Sequence, residues 1–552
     1  MKTLLENFYG WEENAPNDIF LNQPFGDRWE SYTWAEVGQM ARKAATGLMN
    51  LGLPAKSHIG LVSKNCREWI IADLAIMMSG HVSVPLYATL TADQIKEVIE
   101  IGDIVAIFIG KLDSWDTMKD GIPSDMTKIV FPHYDGCSII QEGIRWNEFL
   151  NEKPLEGNPL PNLDDLWTIV FTSGTTGTPK GVMLTYRNLS STEIISRENN
   201  VTNVSLEGDN HYFSYLPMNH VAERVVVESS CISWGGQISF AESLDTFAKN
   251  LQDASPTLFF GVPRIWTKFQ MGVLSKMSQS KLDLLLKIPI VNGIIRKKIK
   301  TGLGLQNSRG FLSGAAPISK SLRNWWKALD VHIGDGYGMT ENCAICTVLH
   351  PKDDKEGTVG KVHPGTEIRI DEETGEICMR SPHLMPGYYK APELTAETIR
   401  DGWLHTGDQG RIDDEGYLYI TGRVKDTFKT EKGQFIVPAP IEWKFGDNQD
   451  IEQIAIVGRG MPQPMALIVP SENGLAKSEG ELKSSLENTL NEVNTKLENY
   501  KKVSTVVICK DAWSVDNGLL TPTLKIKRNQ LDQHYGERYR GWSDDAAKVL
   551  IN

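Results

Sequence analysis

"FTSGTTGTPKGVML", Phe171 to Leu184, is the stretch on which the reading of this chain turns. The preceding "LWTIV", apolar but for Thr168, reads as a strand. It releases into glycines 174, 177 and 181, with hydroxyls on Thr172, Ser173, Thr175, Thr176 and Thr178 and one cation, Lys180. Glycines expose backbone N–H groups and small hydroxyls add donors, so the natural guest is a polyphosphate. "LTYRNLSSTEII" then begins a helix, and the expected order is strand, loop, helix. The spacing is not GxxxxGK[ST], because Lys180 follows Pro179 and precedes a glycine, which disfavours an ordinary kinase or ATPase. The bland alternative is a flexible surface turn; apolar strand and helix signals on either side argue against it.

Working outward, "HIGLVS", "EWIIADLAIMM", "VSVPLY", "TADQIKEVIEIG" and "IVAIFIG" alternate apolar runs of strand length with helical periods. That predicts an α/β fold with parallel-rich sheets. The rhythm changes after about Arg423: "VKDTFKTEKGQFIVP" reads as a hairpin, "EQIAIVG" and "PMALIVP" as strands, "ELKSSLENTLNEVNTKLENYKKV" as an amphipathic helix. We therefore expect a large domain over 1–424 and a small α+β domain over 425–552.

Across 552 residues the net charge is −13, which argues against sequence-blind nucleic-acid binding. Seven cysteines lie at 66, 137, 231, 343, 346, 378 and 509 without framework spacing, as suits reduced thiols in a cytosolic protein. Cys343 and Cys346 form a lone CxxC, more simply two small buried residues than a metal or redox pair. The first residues, acidic and aromatic, read as neither signal nor transit peptide. "WIIADLAIMMSGHVSVPLY", broken by Asp73, Gly80 and His81, reads as a core helix and strand, not a membrane span.

"TSGTTGTPKG" resembles the signature of the adenylate-forming superfamily, which comprises acyl- and aryl-CoA synthetases, adenylation domains of peptide synthetases and beetle luciferases. The rest of the series follows in family order: "YLPMNHVAER" from Tyr215, "DGYGMTE" from Asp335, "DGWLHTGD" from Asp401, "ITGRVKD" from Ile420 and "TPTLKIKR" from Thr521. "SPTLFFGVPRIW" and "FKTEKGQFIVPAPIE" are most similar to long-chain fatty acyl-CoA synthetases, including the bubblegum type. Leu524 stands before the lysine where a small residue is commoner.

The resemblance implies a two-step reaction. A carboxylate attacks the α-phosphorus of ATP to give an acyl-adenylate and pyrophosphate, and the thiol of CoA then displaces AMP. It implies that Thr172, Ser173, Gly174, Thr175, Thr176, Gly177, Thr178 and Lys180 hold the β- and γ-phosphates, and that Glu341 with Thr172 orients Mg²⁺. Gly314, Ala315, Ala316 and Pro317 would flank adenine opposite "DGYGMT", which is Asp335, Gly336, Tyr337, Gly338, Met339 and Thr340. Asp408 would accept the ribose hydroxyls, with Arg423 as a further ribose or phosphate contact. Lys525 would bridge fatty carboxylate and α-phosphate in the transition state. Lys425 matches the hinge about which the small domain swings, bringing Gly433 to the pantetheine path, and His220 lies near the substrate carboxylate. Each has a bland alternative: Glu341 as a helix-initial carboxylate, Asp408 as a turn residue, Lys525 in a basic patch, Gly433 in a hairpin, His220 in the core.

The acyl chain is expected between His220 and "FFGVPRIW", with Arg224 where some bacterial long-chain enzymes carry a gating tryptophan. "KLDLLLKIPIVNGIIRKKIK" reads either as a solvent-facing helix pair or as a peripheral contact with an anionic membrane. The leading expectation is an AMP-forming medium- to long-chain fatty acid–CoA ligase. A fatty acyl-AMP ligase serving an acyl carrier protein and a catalytically silent nucleotide or acyl sensor are the alternatives.

Overall fold

The computed structural model describes residues 1–173, 178–200, 204–205, 208–350, 353, 355–515, 517–521 and 525–552. The structure is mixed α/β. A seven-stranded sheet runs in the order Ile144–Arg145, Thr127–Val130, Ile104–Ile109, His58–Val62, Val82–Leu86, Leu166–Ser173 and Pro179–Thr185. All its neighbours are parallel except the last pair. The parallel strands are covered on both faces, which is why "HIGLV" and "VSVPL" are mostly apolar rather than alternating. Helix Arg67–Met78 is buried along its whole length, Asp73 included, as its near-continuous apolar sequence requires.

A second sheet joins Leu258–Phe260, Gly310–Ser313 and Ile333–Tyr337 in parallel, then Thr347–Val348 and Lys361–Val362. Pairing Ser313 with Asp335 sets the ends of two strands side by side, and the "SGAAP" and "DGYGMTE" segments leave from those ends. An antiparallel sheet of Glu367–Ile370, Glu376–Arg380, Trp403–Ile412, Ile399–Arg400 and Leu418–Arg423 carries "HTGD" within its strand Trp403–Ile412.

The small C-terminal domain has its own core. Strands Ile451–Val457, Met465–Pro470, Val506–Ile508 and Val549–Ile551 form its sheet. Helix Glu479–Thr495 starts at a Ser478/Glu481 capping box and buries Leu482, Leu486, Leu490 and Val493, an i, i+4, i+8, i+11 stripe. The stripe packs on Ile456, Ile468 and Val506 of that sheet. The helix ends at Thr495, eight residues short of the periodic sequence read as helical, with a 3₁₀ turn at Asn499–Lys501 beyond it.

Candidate active site

The helix expected from "LTYRNLSSTEII" is present, but a strand that the sequence reading missed stands between it and the Gly/Thr loop. Leu166–Ser173 and Pro179–Thr185 form an antiparallel hairpin in which Thr172 pairs with Lys180 and Ser173 with Pro179. Helix Tyr186–Asn199 begins beyond that second strand, its start capped by the Thr185 hydroxyl, which accepts from Asn188 N–H at 3.2 Å. Its N-terminal N–H groups are thus separated from the loop by a whole strand. "KGVMLT" forms that strand because Val182 and Leu184 alternate inward. Gly174, Thr175, Thr176 and Gly177 lie outside the described residues; Thr178 is exposed, and Thr172 and Lys180 are half-buried.

Lys180 Nζ stands 5.7 Å above the ring centre of Tyr388, whose hydroxyl donates to Glu341 Oε1 at 2.8 Å. Burial, then Lys425 nearby, hold the Lys180 ammonium below the ordinary lysine range, while Glu341 and Glu397 pull the other way. Glu341 sits in the 3₁₀ turn Thr340–Asn342. Asn342 Oδ1 accepts from Met339 N–H at 2.9 Å, and Glu341 C=O accepts from Met385 N–H at 2.9 Å, so the turn is fixed on both sides. A Cβ on Gly338 would lie 1.9 Å from Ala344 O, which explains a glycine there. Thr172 and Glu341 offer hard oxygen ligands, the donor set a magnesium ion prefers.

"SGAAP" and "DGYGMTE" meet through the parallel pairing of their strands. A Cβ on Gly314 would stand 3.3 Å from Gly336 O; Ala315, Ala316 and Pro317 face solvent, with Ala315 at φ +65°. Asp335 is buried, and desolvation pushes its carboxyl up to about 7. Tyr337 donates its hydroxyl to Asp408 Oδ2 at 2.9 Å, and Arg423 Nε pairs with Asp408 Oδ1 at 2.8 Å across the antiparallel register. Each carboxylate oxygen keeps a second lone pair, so a cis-diol can still be accepted. Behind it, Glu376 Oε1 accepts from Gly407 N–H at 2.7 Å and His405 Nδ1 lies 2.9 Å from Glu376 Oε2. This brace escaped the sequence reading, as did Tyr388.

Lys525 comes from the small domain into the same field. It is open to solvent but surrounded by protein on most sides: desolvation, then Arg423, hold its ammonium below the ordinary lysine range, with Asp408 and Glu341 opposing. His220 completes the group. Burial, then Lys525, push its imidazole down to about 4. Its Nδ1 accepts from Ala222 N–H at 3.2 Å, which assigns the proton of the neutral ring to Nε2. Arg528, three residues after Lys525, holds Glu442 through Nη2 at 2.6 Å and Asp426 through Nε at 3.0 Å. Gly433, at φ +76°, donates its N–H to Thr430 O in the turn between Phe428–Lys429 and Phe435–Ile436; a Cβ there would meet nothing within 4 Å.

The stretch after His220 is packed interior. Arg224 is wholly buried between the rings of Trp167 and Trp69, 4.1 and 5.2 Å from their centres. It donates to Asp73 Oδ2 at 2.5 Å, Glu228 Oε2 at 3.0 Å and Thr168 Oγ1 at 2.8 Å. Burial pushes the Glu228 carboxyl up, with Arg224 opposing. Phe259 and Trp266 belong to a different core cluster. Cys343 and Cys346 are buried free thiols.

Residues 8–389 match the family model "AMP-binding enzyme", and residues 425–539 match "AMP-binding enzyme C-terminal domain". The chain is 28% identical to mouse long-chain-fatty-acid–CoA ligase ACSBG2 over 593 aligned residues, covering 92% of this chain and 88% of that one. It is 30% identical to rat long-chain-fatty-acid–CoA ligase 5 over 578 aligned residues, covering 93% and 84%. Among solved structures it resembles the A-PCP didomain of carboxylic acid reductase from Segniliparus rugosus in complex with AMP, with TM-score 0.80, 22% identity and coverage of 98% and 82%. It also resembles o-succinylbenzoate CoA synthetase from Bacillus subtilis in complex with its acyl-adenylate intermediate, with TM-score 0.74, 20% identity and coverage of 99% of both chains.

Proposed function

We propose, from the premise that this chain belongs to the AMP-binding enzyme family and is an ATP-dependent, adenylate-forming acyl-activating ligase, that its acid is a medium- to long-chain fatty acid and its acceptor is coenzyme A. The observation that carries the chemistry is the convergence of Lys525, from the small domain, with Glu341, Asp408, Arg423 and His220 of the large one. The chain length rests on the similarity to the long-chain ligases.

In this reading Lys180 and the loop hydroxyls take the terminal phosphates, and Asp408 takes the ribose diol while Tyr337 and Arg423 hold its carboxylate in place. The adenine lies between Ala315–Pro317 and Gly336–Tyr337. Bound by Glu341 and Thr172, a magnesium ion supplies neutralisation of phosphate charge. Bringing a carboxylate against the α-phosphate joins two anions, and Lys525 relieves that repulsion most when the new P–O bond is forming. The neutral His220, with its proton on Nε2, donates to the substrate carboxylate without requiring a change of charge. Thiolysis of the adenylate expels AMP, a good leaving group, and needs no strong protein base. Lys425 is the hinge between the two half-reactions, and Gly433 leaves room for the pantetheine arm.

The test is a panel of carboxylates from acetate to oleate, scored by AMP and pyrophosphate release with and without CoA. Acyl-CoA formation that rises with chain length supports the proposal. Acylation of holo-acyl carrier protein with CoA inert would replace the acceptor, and turnover of short or aromatic acids alone would replace the acid.

A further inference from the structure

Before strand Gly310–Ser313 the chain makes a helical hairpin, Gln279–Lys287 and Val291–Gly302. Its inner face is ordinary core. Leu282 is buried, Leu286, Ile295 and Ile299 pack on the cluster containing Trp266 and Trp326, and Trp325 Nε1–H donates to Gln279 at 2.8 Å.

The outer ridge is different. Leu284, Ile288, Ile290 and Ile294 are 62, 40, 82 and 61% exposed. Eleven consecutive positions thus hold four of the sixteen large hydrophobics exposed among the described residues, too dense for the usual scatter of apolar surface. Ile290 is also conformationally costly. It sits at φ +70°, ψ −50° in a γ-turn closed by Val291 N–H donating to Pro289 O at 2.8 Å, a region that β-branched residues avoid. Glycine would relieve the strain and the exposure together. The chain instead keeps an isoleucine at the apex.

Charge points the same way. From 276 to 302 the sequence carries Lys276, Lys281, Lys287, Arg296, Lys297, Lys298 and Lys300 against Asp283 alone, in a chain of net −13. Arg296 is engaged with Ala328 O and Lys300 with Asp330. Lys281, Lys287, Lys297 and Lys298 form no ion pair among the described residues. Helical spacing puts Lys281 beside Leu284 and Ile288, and Lys297 and Lys298 beside Ile290 and Ile294, so cations border the apolar ridge.

We propose that this hairpin seats the enzyme on an anionic lipid bilayer, with the ridge led by Ile290 at the headgroup and acyl boundary and the four lysines among the phosphates. A protruding ridge enters a deformable phase without a matching groove, and long lysine stems let the ammonium groups stay at the headgroups. The inference does not depend on which acid the enzyme activates.

The test is co-sedimentation of the full chain, without substrates, with phosphatidylcholine vesicles and with vesicles holding about 30% phosphatidylglycerol. Binding is expected to the anionic vesicles alone and to fall as salt rises to about 0.5 M. Ile290→Ser with Ile294→Ser should weaken it roughly tenfold or more. Lys287→Gln with Lys297→Gln should weaken it by about an order of magnitude and flatten the salt dependence. Leu244→Ser, which removes a 93% exposed leucine elsewhere, should change nothing. Unchanged melting temperatures show that the variants fold. Absence of wild-type binding, or ridge variants that bind as well as wild type, overturns the proposal. So does a dimer in sedimentation velocity that the ridge substitutions dissolve, which would assign the ridge to a second copy of the chain.

Discussion

Arg224 and Lys525 are both cations facing two carboxylates, and the fold treats them in opposite ways. Arg224 is sealed at 0% exposure, with Asp73, Glu228, Thr168 and two tryptophan rings supplying its surroundings. Lys525 is open to solvent on one side and has no ion pair among the described residues: Asp408 is held by Arg423 and Tyr337, and Glu341 by Tyr388. A buried cation whose partners are all protein groups is architecture. A solvent-open cation whose neighbours already have other partners has capacity left for a ligand.

The comparison can be broken at either end. Arg224→Leu leaves two carboxyls inside the core without their cation, and should cost about 3–5 kcal/mol of stability in urea unfolding, with turnover per folded molecule nearly intact. Lys525→Ala should do the reverse. Adenylation, read as pyrophosphate release, should fall about 10²–10³-fold, with a melting temperature close to wild type because Lys525 is solvent-exposed and makes no ion pair among the described residues. Undiminished adenylation in folded Lys525→Ala would remove Lys525 from the chemistry.

Smaller effects sharpen the picture. Asp408→Asn keeps the shape but halves the acceptor capacity, and should raise the KM for ATP by about 10–100-fold with little change in melting temperature. The pH profile tests Lys525 without mutation. Desolvation and Arg423 lower its proton affinity, so the charged form is lost as pH rises, and adenylation should decline on an alkaline limb below the ordinary lysine range; Lys525→Arg should move that limb upward. Least of all, Glu376→Gln weakens the acceptor for Gly407 N–H, at about 1 kcal/mol, seen as a several-fold higher KM for ATP.

The parallel core was readable because its strands are buried on both faces among mostly apolar side chains, and "VSVPL" and "IVAIFI" announce that directly. The loop hairpin was misread because "PKGVMLT" begins with loop-forming residues, and its inward pair, Val182 and Leu184, is too short a signal to compete with the helix after it. The Arg224 network left a trace that could have been followed: Asp73 interrupts "WIIADLAIMM" and Arg224 precedes "VVVE", and a charge inside an apolar run needs a partner. Tyr388 and Glu376 left none. Tyr388 lies 47 residues from Glu341 and Glu376 31 residues from Gly407, and only the tertiary fold brings these pairs together.

Arg528 has a mechanical consequence. Its guanidinium grips Asp426 and Glu442 at once, so the lysine three positions earlier is strapped to the chain immediately after Lys425, although Arg528 and Asp426 are 102 residues apart in sequence. A torsional change at Lys425 would reach the tail segment without slack, as a crank turns its arm. Loosening that strap would blur where the arm stops.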